Sequence, residues 1–355
     1  MTSNPSRKPK RITPPKEEPQ KPKPKDFNSR MRAKLPDRSQ RAIDILARVK
    51  KVYVPCGRDA ALRNSLDLFL EHILAPKDDR RDDGRIFFIT GESGAGKSTA
   101  IRKLIADTPA LEPERRPYGL SSPIVTVTLK GACTLNTLGE MILERAGYPI
   151  VQKIGPSQLW KSLPEWLGHR EIFLVHIDET QNMLKKTKHN RDRKDLANTL
   201  KGAMNDLDWP ISFIMSGLPL TLDLARLDEQ FERRAFMQHL PDINMENDAE
   251  RKLVLNIIEQ MSIAAELNCD AVLKSDIPDR LAHAAKYRYG RTAQAVLATI
   301  HHAVRHNAST LHRDHFAHAY LAHSSAQGHD QMNPFLVNDW RTLPPGSFII
   351  ESPDE

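Results

Sequence analysis

The chain has 355 residues, of which 39% are hydrophobic and 27% charged, and its formal net charge is +7. A chain of this size can bury a substantial core, so one large α/β domain with a smaller appendage is expected. Cys56, Cys133 and Cys269 lie far apart in the sequence, which argues against a disulfide framework. The apolar runs are too short to span a bilayer, so we expect a soluble intracellular protein.

The first 36 residues differ in composition from the rest of the chain. They contain eight of the 25 prolines, interleaved with Lys and Arg, and the first 40 residues carry a net charge of +8. Such a segment cannot bury enough apolar surface to fold, so residues 1–36 are predicted to be a disordered basic tail. A tail of this kind either binds DNA or only keeps the protein soluble, and the sequence leaves both open.

Two helical patterns, over residues 38–50 and 58–74, precede a series of short and continuous apolar runs. Strands that are apolar throughout belong in a parallel sheet covered on both faces. The predicted strands are 86–90, 124–129, 172–177, 211–216 and 235–240, and the predicted helices between them are 97–107, 134–146, 157–168, 191–207 and about 219–228. We predict an α/β domain over residues 37–244, four helices over 245–325 and an extended tail over 326–355.

The first predicted strand ends in a complete phosphate-binding motif. Gly91-Glu-Ser-Gly-Ala-Gly-Lys-Ser98 matches G-x-x-x-x-G-K-[ST] and stands between a strand and a helix. Backbone N–H groups of such a loop curl around phosphate oxygens, Lys97 reaches the β- and γ-phosphates, and the Ser98 hydroxyl binds Mg²⁺. The predicted nucleotide-binding residues here are Gly91, Glu92, Ser93, Gly94, Ala95, Gly96, Lys97, Ser98 and Thr99.

An acidic pair follows the third predicted strand. Asp178 is predicted to hold Mg²⁺ beside the triphosphate, and Glu179 to polarise the attacking water. The chain has no Asn-Lys-x-Asp or Thr-Lys-x-Asp motif that would read a guanine base. The predicted nucleotide is therefore ATP.

Five later residues are candidates for contacts to the γ-phosphate. Ser216 ends the fourth predicted strand, where its hydroxyl can face the phosphate or the water. Arg233 and Arg234 precede the last strand, and a trans-acting arginine there would stabilise charge on the nucleotide of a neighbouring subunit. In the helical domain Arg288 or Arg291, at the start of a helix, is expected to fold back onto the phosphates.

The C-terminal half is rich in histidine. His302 and His306 stand four residues apart, a spacing that metal ligands use. No carboxylate or cysteine cluster accompanies them, so surface histidines are favoured over a metal site.

The order of these parts resembles the AAA+ ATPases, which implies a five-stranded parallel sheet followed by a helical lid. Three segments narrow the resemblance to the TniB/TnsC family of transposition ATPases: Val54-Pro-Cys-Gly-Arg58, Ile89-Thr-Gly-Glu-Ser-Gly-Ala-Gly-Lys-Ser-Thr-Ala-Ile101 and Ile177-Asp-Glu-Thr-Gln181. The resemblance covers roughly residues 38–325. It implies that Arg233 or Arg234 matches the trans-acting finger of the family and that Arg291 matches the sensor of the lid.

The resemblance also implies a function. Members of this family are ATP-hydrolysing, DNA-binding proteins that form homo-oligomeric rings or filaments on double-stranded target DNA in the bacterial cytoplasm. They connect a target selector of the TniQ type to a transposase of the TniA/TnsB type. Lys130 and Lys103 are candidate DNA contacts, although Lys130-Gly-Ala-Cys-Thr134 replaces the proline-rich stretch of the family.

We therefore predict an ATP-switched regulator of DNA transposition with an AAA+ fold. One alternative is a helicase loader or replication initiator, which would also oligomerise on DNA. Another is a scaffold that binds ATP without hydrolysing it, against which Glu179 argues.

Overall fold

The computed structural model of the protein describes residues 24–117, 119–148, 154–184, 190–227, 229–322 and 330–346. Its centre is a five-stranded sheet whose neighbouring strands are all parallel, in the order β2-β3-β4-β1-β5. The strands are β1 (Ile86–Gly91), β2 (Ile124–Thr128), β3 (Leu174–Asp178), β4 (Ser212–Gly217) and β5 (Ala235–Leu240). Because the strands are parallel, all five carboxyl ends lie at one edge of the sheet.

The helices of the α/β part cover both faces of the sheet. Before and within it they are α1 (Pro24–Arg32), α2 (Asp37–Val49), α3 (Gly57–Leu74), α4 (Lys97–Ala106), α5 (Leu135–Arg145), α6 (Pro156–Gly168), α7 (Gln181–Leu184), α8 (Asn190–Met204) and α9 (Glu229–Arg233). Helices α3 and α4 pack on one face, and α5, α6 and α8 pack on the other. Coverage on both sides explains why every residue of β1 and β4 is buried, and the predicted α/β architecture is confirmed.

The lid is entirely helical in the part described. It contains α10 (Asp248–Ala264), α11 (Asp270–Leu273), α12 (Ile277–Ala284), α13 (Tyr289–Arg305) and α14 (Arg313–Ala322), so a single-turn helix adds to the four predicted. Ile45 and Val49 of α2 belong to the hydrophobic cluster of the lid, although the sequence grouped α2 with the sheet. The N-terminal helix thus joins the two parts.

Several predicted elements differ from the observed ones. Residues 24–32 form α1 rather than part of a disordered tail, while residues 1–23 lie outside the described residues. The helix expected near 219–228 is two 3-10 turns, Pro219–Asp223 and Ala225–Leu227, since Pro219 starts the first of them. Two short hairpins without a sequence signal pair Pro76–Lys77 with Arg80–Arg81 and Glu114–Arg116 with Gly119–Ser121.

The predicted extended C-terminal tail is wrong for residues 330–346. Phe335 and Trp340 are buried, and the buried Arg280 of α12 donates hydrogen bonds to the carbonyl oxygens of Pro334 and Val337 at 2.6 and 2.5 Å. An arginine taken out of water needs such acceptors, so it fastens this segment to the lid. No helix within the described ranges has both the length and the apolar composition needed to cross a membrane.

A cluster of histidines packs between α13 and α14. The His302 ring stacks on His306 and His318, with centroid distances of 4.2 and 5.1 Å, and lies 5.8 Å from His315. Burial, together with the neighbouring imidazoles including His301, lowers the pKa of His302 to about 4. No group of three His, Cys, Asp or Glu within the described ranges is arranged to hold a metal ion. The rings stack on one another at the surface of the lid, where His306 and His318 are exposed and His302 and His315 are partly buried.

We predict that acid destabilises the lid through this cluster. Between about pH 6.5 and pH 4 the unfolded chain binds protons at His302 that the folded lid does not, so the free energy of unfolding falls as the pH falls. A His302→Gln variant should lose less stability than the wild type over this range in denaturant titrations. The exposed His169→Gln serves as control, and equal pH slopes for all three proteins would contradict the prediction.

Candidate nucleotide-binding site

The loop between β1 and α4 has the shape of a phosphate cradle. Gly96 caps α4 with φ +88°, a left-handed conformation that a side chain disfavours. Lys97 is only 7% exposed, and its Nζ donates to the carbonyl oxygens of Gly91 and Glu92 at 2.8 and 3.0 Å. The ammonium group is therefore held inside the loop, at the N-terminus of α4, where anions are favoured.

Opposing effects act on the pKa of Lys97. Burial lowers its pKa, while the carboxylates of Glu179, Asp178 and Glu92 raise it. The carboxylates arrive at the loop because β3 lies two strands away from β1, across β4, and ends at the same edge of the sheet. Cation and acidic pair thus meet as the sequence predicted.

A buried hydrogen-bond chain orients Asp178. The Ser216 hydroxyl donates to Oδ1 of Asp178 at 2.6 Å, and the Glu179 amide donates to the same oxygen at 3.0 Å. Nε2 of His176 lies 3.0 Å from the Ser216 oxygen. Since Ser216 has one proton and gives it to Asp178, Nε2 of His176 is the donor in the second bond.

His176 is neutral in this arrangement. It is almost fully buried, and burial lowers its pKa to about 4, against the opposing effect of Asp178. This buried histidine supports Ser216 from the neighbouring strand. Because a strand pattern does not say which neighbours face each other, only the sheet register reveals the pair.

Glu179 adopts an unusual backbone conformation beside this chain. Its φ is +60°, in the left-handed region that a non-glycine residue enters at a cost, and such strain concentrates at functional sites. Its carboxylate accepts a hydrogen bond from the Gln181 amide at 2.6 Å. The Oε1 oxygen of Gln181 accepts from the backbone N–H of Leu218, which follows β4, at 3.2 Å. Gln181 therefore couples Glu179 to the loop after Ser216.

The start of α13 presses against the phosphate loop. Arg288 donates to the carbonyl oxygen of Ser93 at 2.8 Å, and the Arg291 backbone N–H donates to that of Gly94 at 3.2 Å. Only glycine fits at position 290, since a Cβ there would stand 2.6 Å from the Gly94 carbonyl oxygen. The lid is thus in direct contact with the loop that would hold the nucleotide.

A cleft of about 420 Å³ opens between the loop, α2 and the lid. Its phosphate end is lined by Ser93, Gly94, Gly96, Lys97, Ser98, Thr99, Glu179, Gln181 and Asn182, and its apolar end by Val49, Val52, Tyr53, Met261, Ala293 and Leu297. The sequence patterns gave no indication of the apolar end. Tyr53 donates a hydrogen bond to the Asp59 carboxylate, and Tyr289 of the lid donates one to the Val54 carbonyl oxygen at 2.8 Å. The segment before α3 and the lid therefore form one wall of the cleft together.

Four predicted site residues do not line this cleft. Arg233 and Arg234 precede β5, at the amino end of the sheet, whereas the phosphate loop follows the carboxyl end of β1. Lys130 follows β2 and is exposed. Lys103 pairs with Asp107 at 2.7 Å on α4, and its Nζ lies 5.5 Å from the ring of Tyr53 in the cleft wall.

Comparison with solved structures shows which known proteins share this fold. The Aeropyrum pernix ORC2 protein in its ADPNP-ADP complexes shares 18% identity and has a TM-score of 0.53, covering 79% of this chain and 72% of that one. Cdc6p from Pyrobaculum aerophilum shares 12% identity with a TM-score of 0.53, covering 77% and 69%. The Aeropyrum pernix ORC1 protein in complex with DNA shares 14% with a TM-score of 0.52, covering 79% and 70%. The fold is that of the AAA+ P-loop ATPases.

The sequence comparison identifies a more specific group of proteins than the structural comparison does. The model of the family described as "Bacterial TniB protein" matches residues 60–245, more than half of the chain. The protein therefore belongs to the TniB family. No curated protein sequence matches it.

Removal of the Ser216 hydroxyl should separate hydrolysis from nucleotide binding. In Ser216→Ala both Asp178 and His176 lose a buried partner, which costs about 1–3 kcal/mol of stability. We expect ATP affinity within about threefold of wild type but turnover at least about tenfold lower, because the acidic pair loses its orientation.

Ser212→Ala provides the matched control for this experiment. Ser212 is equally buried at the opposite end of β4 and accepts a hydrogen bond from the Arg85 backbone. It should lower stability but spare turnover. An equal loss of turnover in both variants would show that Ser216 acts only as a packing residue.

Proposed function

We propose that this protein is an ATP-hydrolysing regulator of DNA transposition, assembling head-to-tail on double-stranded DNA. In this proposal it links a target selector of the TniQ type to a transposase of the TniA/TnsB type. The observation that carries it is that the nucleotide cleft and Arg233 lie at opposite ends of one sheet. A complete catalytic site then needs two subunits, and membership of the TniB family supports transposition as the process served.

ATP fits the cleft by its two ends. The apolar end beside Tyr53 can take the base, and the loop amides with Lys97 can take the phosphates. Ser98 and Asp178 offer the oxygen donors that Mg²⁺ prefers. Both hydrogen bonds to Asp178 fall on Oδ1, which leaves Oδ2 as the oxygen to face the ion. Bound Mg²⁺ would neutralise charge on the β- and γ-phosphates.

Glu179 is the proposed group that polarises water for attack on the γ-phosphate. It lines the cleft beside Lys97 and Ser98, and Gln181 fixes its carboxylate. A protein that only binds ATP as a scaffold would not need a carboxylate held in a strained conformation at this point. This favours an enzyme over the scaffold alternative.

Arg233 is the better candidate for the finger that acts on a neighbouring subunit. Its side chain is 73% exposed and pairs only with Glu229, one turn earlier, at 2.5 Å among the contacts of the described residues. Arg234 is turned inward and binds Asp83 at 2.7 Å and the Asn205 side chain. Arg234 thus stabilises contacts within its own subunit. Arg233 can exchange its weak, exposed ion pair with Glu229 for a phosphate of a neighbouring subunit.

Distance along the sheet excludes Arg233 from its own nucleotide. Ala235 pairs with Ile86 at the start of β1, and Leu240 pairs with Gly91 at its end. Five residues of strand span roughly 17 Å, so the two sites are well separated within a subunit. An arginine at this end can reach only the nucleotide of another copy.

DNA is the proposed partner along which copies assemble. Lys130 is exposed at the end of β2, whereas Lys103 is engaged by Asp107 and by the ring of Tyr53, 5.5 Å away. Of the two, Lys130 is the better phosphate contact. The basic residues 1–23 lie outside the described residues and would add affinity that salt weakens.

A helicase loader or replication initiator is the second candidate. The fold similarity to origin-recognition proteins favours it, and the Aeropyrum pernix ORC1 protein was solved in complex with DNA. That similarity rests on 12–18% identity and describes the fold alone. The family match therefore outweighs it.

The two arginines should give opposite results when each is replaced by alanine. Arg233→Ala should bind ATP normally and keep its melting temperature, but its DNA-stimulated ATPase rate should fall by about 10³-fold or more, as expected for loss of a finger. Arg234→Ala should lower the melting temperature, because Asp83 and Asn205 lose their partner, and any loss of rate should be much smaller.

The conservative Arg233→Lys keeps one charge without the planar fork and should recover only part of the rate. A wild-type rate in Arg233→Ala would remove the need for a second subunit and with it the proposed head-to-tail assembly. That result alone would not favour the scaffold alternative, which requires that the wild type itself does not hydrolyse ATP.

A further inference from the structure

Helix α1 presents an apolar stripe to solvent. Phe27 and Met31, one turn apart, are 44% and 37% exposed, and Leu35 in the following turn is 43% exposed. None of the three belongs to a hydrophobic cluster of the described chain. Arg32 at the end of α1 pairs with the Asp44 carboxylate of α2. An exposed apolar stripe of this kind is suited to binding another surface.

The same segment is basic. Arg30 of α1 and Lys34, two residues after its end, are exposed beside the stripe. The surface it offers is therefore apolar in the middle and positive at the rim.

Helix α3 presents a surface of the opposite charge. Its inner side is buried against the sheet, while Leu68 and Leu74 on its outer side are 53% and 51% exposed. Asp67 and Glu71 lie on the same outward arc, since positions 67, 68, 71 and 74 fall within about a third of a helical turn's circumference. Around the helix the two carboxylates lie between Leu74 and Leu68, so this surface combines exposed apolar groups with negative charge and is opposite in charge to that of α1.

The outer face of α3 lies on the same side of the protein as Arg233, and α1 is connected through α2 to the cleft. The last turn and a half of α3 lies beside the start of β5, where the His72 ring is 5.3 Å from that of Phe236, close in sequence to Arg233. At the other side, α2 leads from α1 into the cleft, which Val49 and Tyr53 line. When Arg233 of one copy approaches the cleft of the next, α3 of the first and α1 of the second come to the same interface.

We propose that α1 of each subunit docks on the outer face of α3 in the neighbouring subunit. This inference rests on the proposed head-to-tail assembly and names a contact that holds it together. Phe27 and Met31 cover Leu68 and Leu74, and Arg30 and Lys34 face Asp67 and Glu71. Burial of the apolar stripe provides affinity, and the charges set the register and exclude other partners.

Charge reversal tests the contact. The double variants Arg30→Glu with Lys34→Glu, and Asp67→Lys with Glu71→Lys, each place like charges across the interface. Each should raise the protein concentration needed for assembly by roughly tenfold or more, because like-charge juxtaposition is strongly unfavourable. Assembly is measured by sedimentation with a non-hydrolysable ATP analogue, with and without a short DNA duplex, and ATP affinity is measured separately.

Combining all four substitutions in one chain provides the decisive arm. Every interface then has reversed charges on both sides, so assembly should return to near the wild-type concentration while ATP affinity stays unchanged throughout. Lys252→Glu, an exposed reversal on α10, is the control and should have no effect. Phe27→Ser with Met31→Ser should weaken assembly, and here the combined reversal should not rescue it.

The outcomes separate the contact from the function on which it rests. If the wild type assembles and the double variants assemble equally well, the docking is wrong and the proposed assembly stands. If the Arg30 and Lys34 reversals weaken DNA binding but leave DNA-free assembly unchanged, α1 binds DNA and the docking is likewise overturned. If the wild type fails to assemble with or without DNA, both the docking and the head-to-tail assembly are overturned.

Discussion

The loop from Gly91 to Ser98 can bind phosphate only if its backbone N–H groups converge on one point. The strand before the loop and the lid beside it are arranged around this requirement. Gly96 takes up a left-handed conformation to turn the chain, and β1 carries the loop to the edge of the sheet. Gly290 lets the lid approach within contact distance of the same backbone. The phosphate loop and the start of α13 therefore touch each other directly.

In the proposed assembly, the direction of the strands divides the function between two subunits. Parallel strands bring Asp178, Ser216 and the phosphate loop to the carboxyl edge, where a buried chain of hydrogen bonds orients them. The same geometry leaves Arg233 at the amino edge. Under the proposed function each subunit would hold a nucleotide at one end and offer an arginine at the other, an arrangement that suits open or closed head-to-tail assemblies.

The sequence predicted local motifs well because their chemistry requires neighbouring residues. The phosphate loop, the acidic pair and the five strands all follow from short patterns, and the fold confirms the architecture. The features that it missed depend on contacts between distant segments. His176 supports Ser216 only through strand register, α2 joins the lid cluster, and Arg280 captures the C-terminal segment across more than fifty residues. The difference between Arg233 and Arg234 is likewise tertiary, because Asp83 and Asn205 decide it.

The most direct test of the shared site is to mix two inactive variants. Lys97→Ala lacks the lysine of its own phosphate loop but keeps Arg233, and Arg233→Ala keeps its loop but lacks the finger. Mixed in equal amounts on DNA, about a quarter of head-to-tail interfaces combine an intact loop with an intact arginine, so the ATPase rate should recover to roughly that fraction of wild type. A mixture that co-assembles yet stays as inactive as its components would contradict a site built from two subunits.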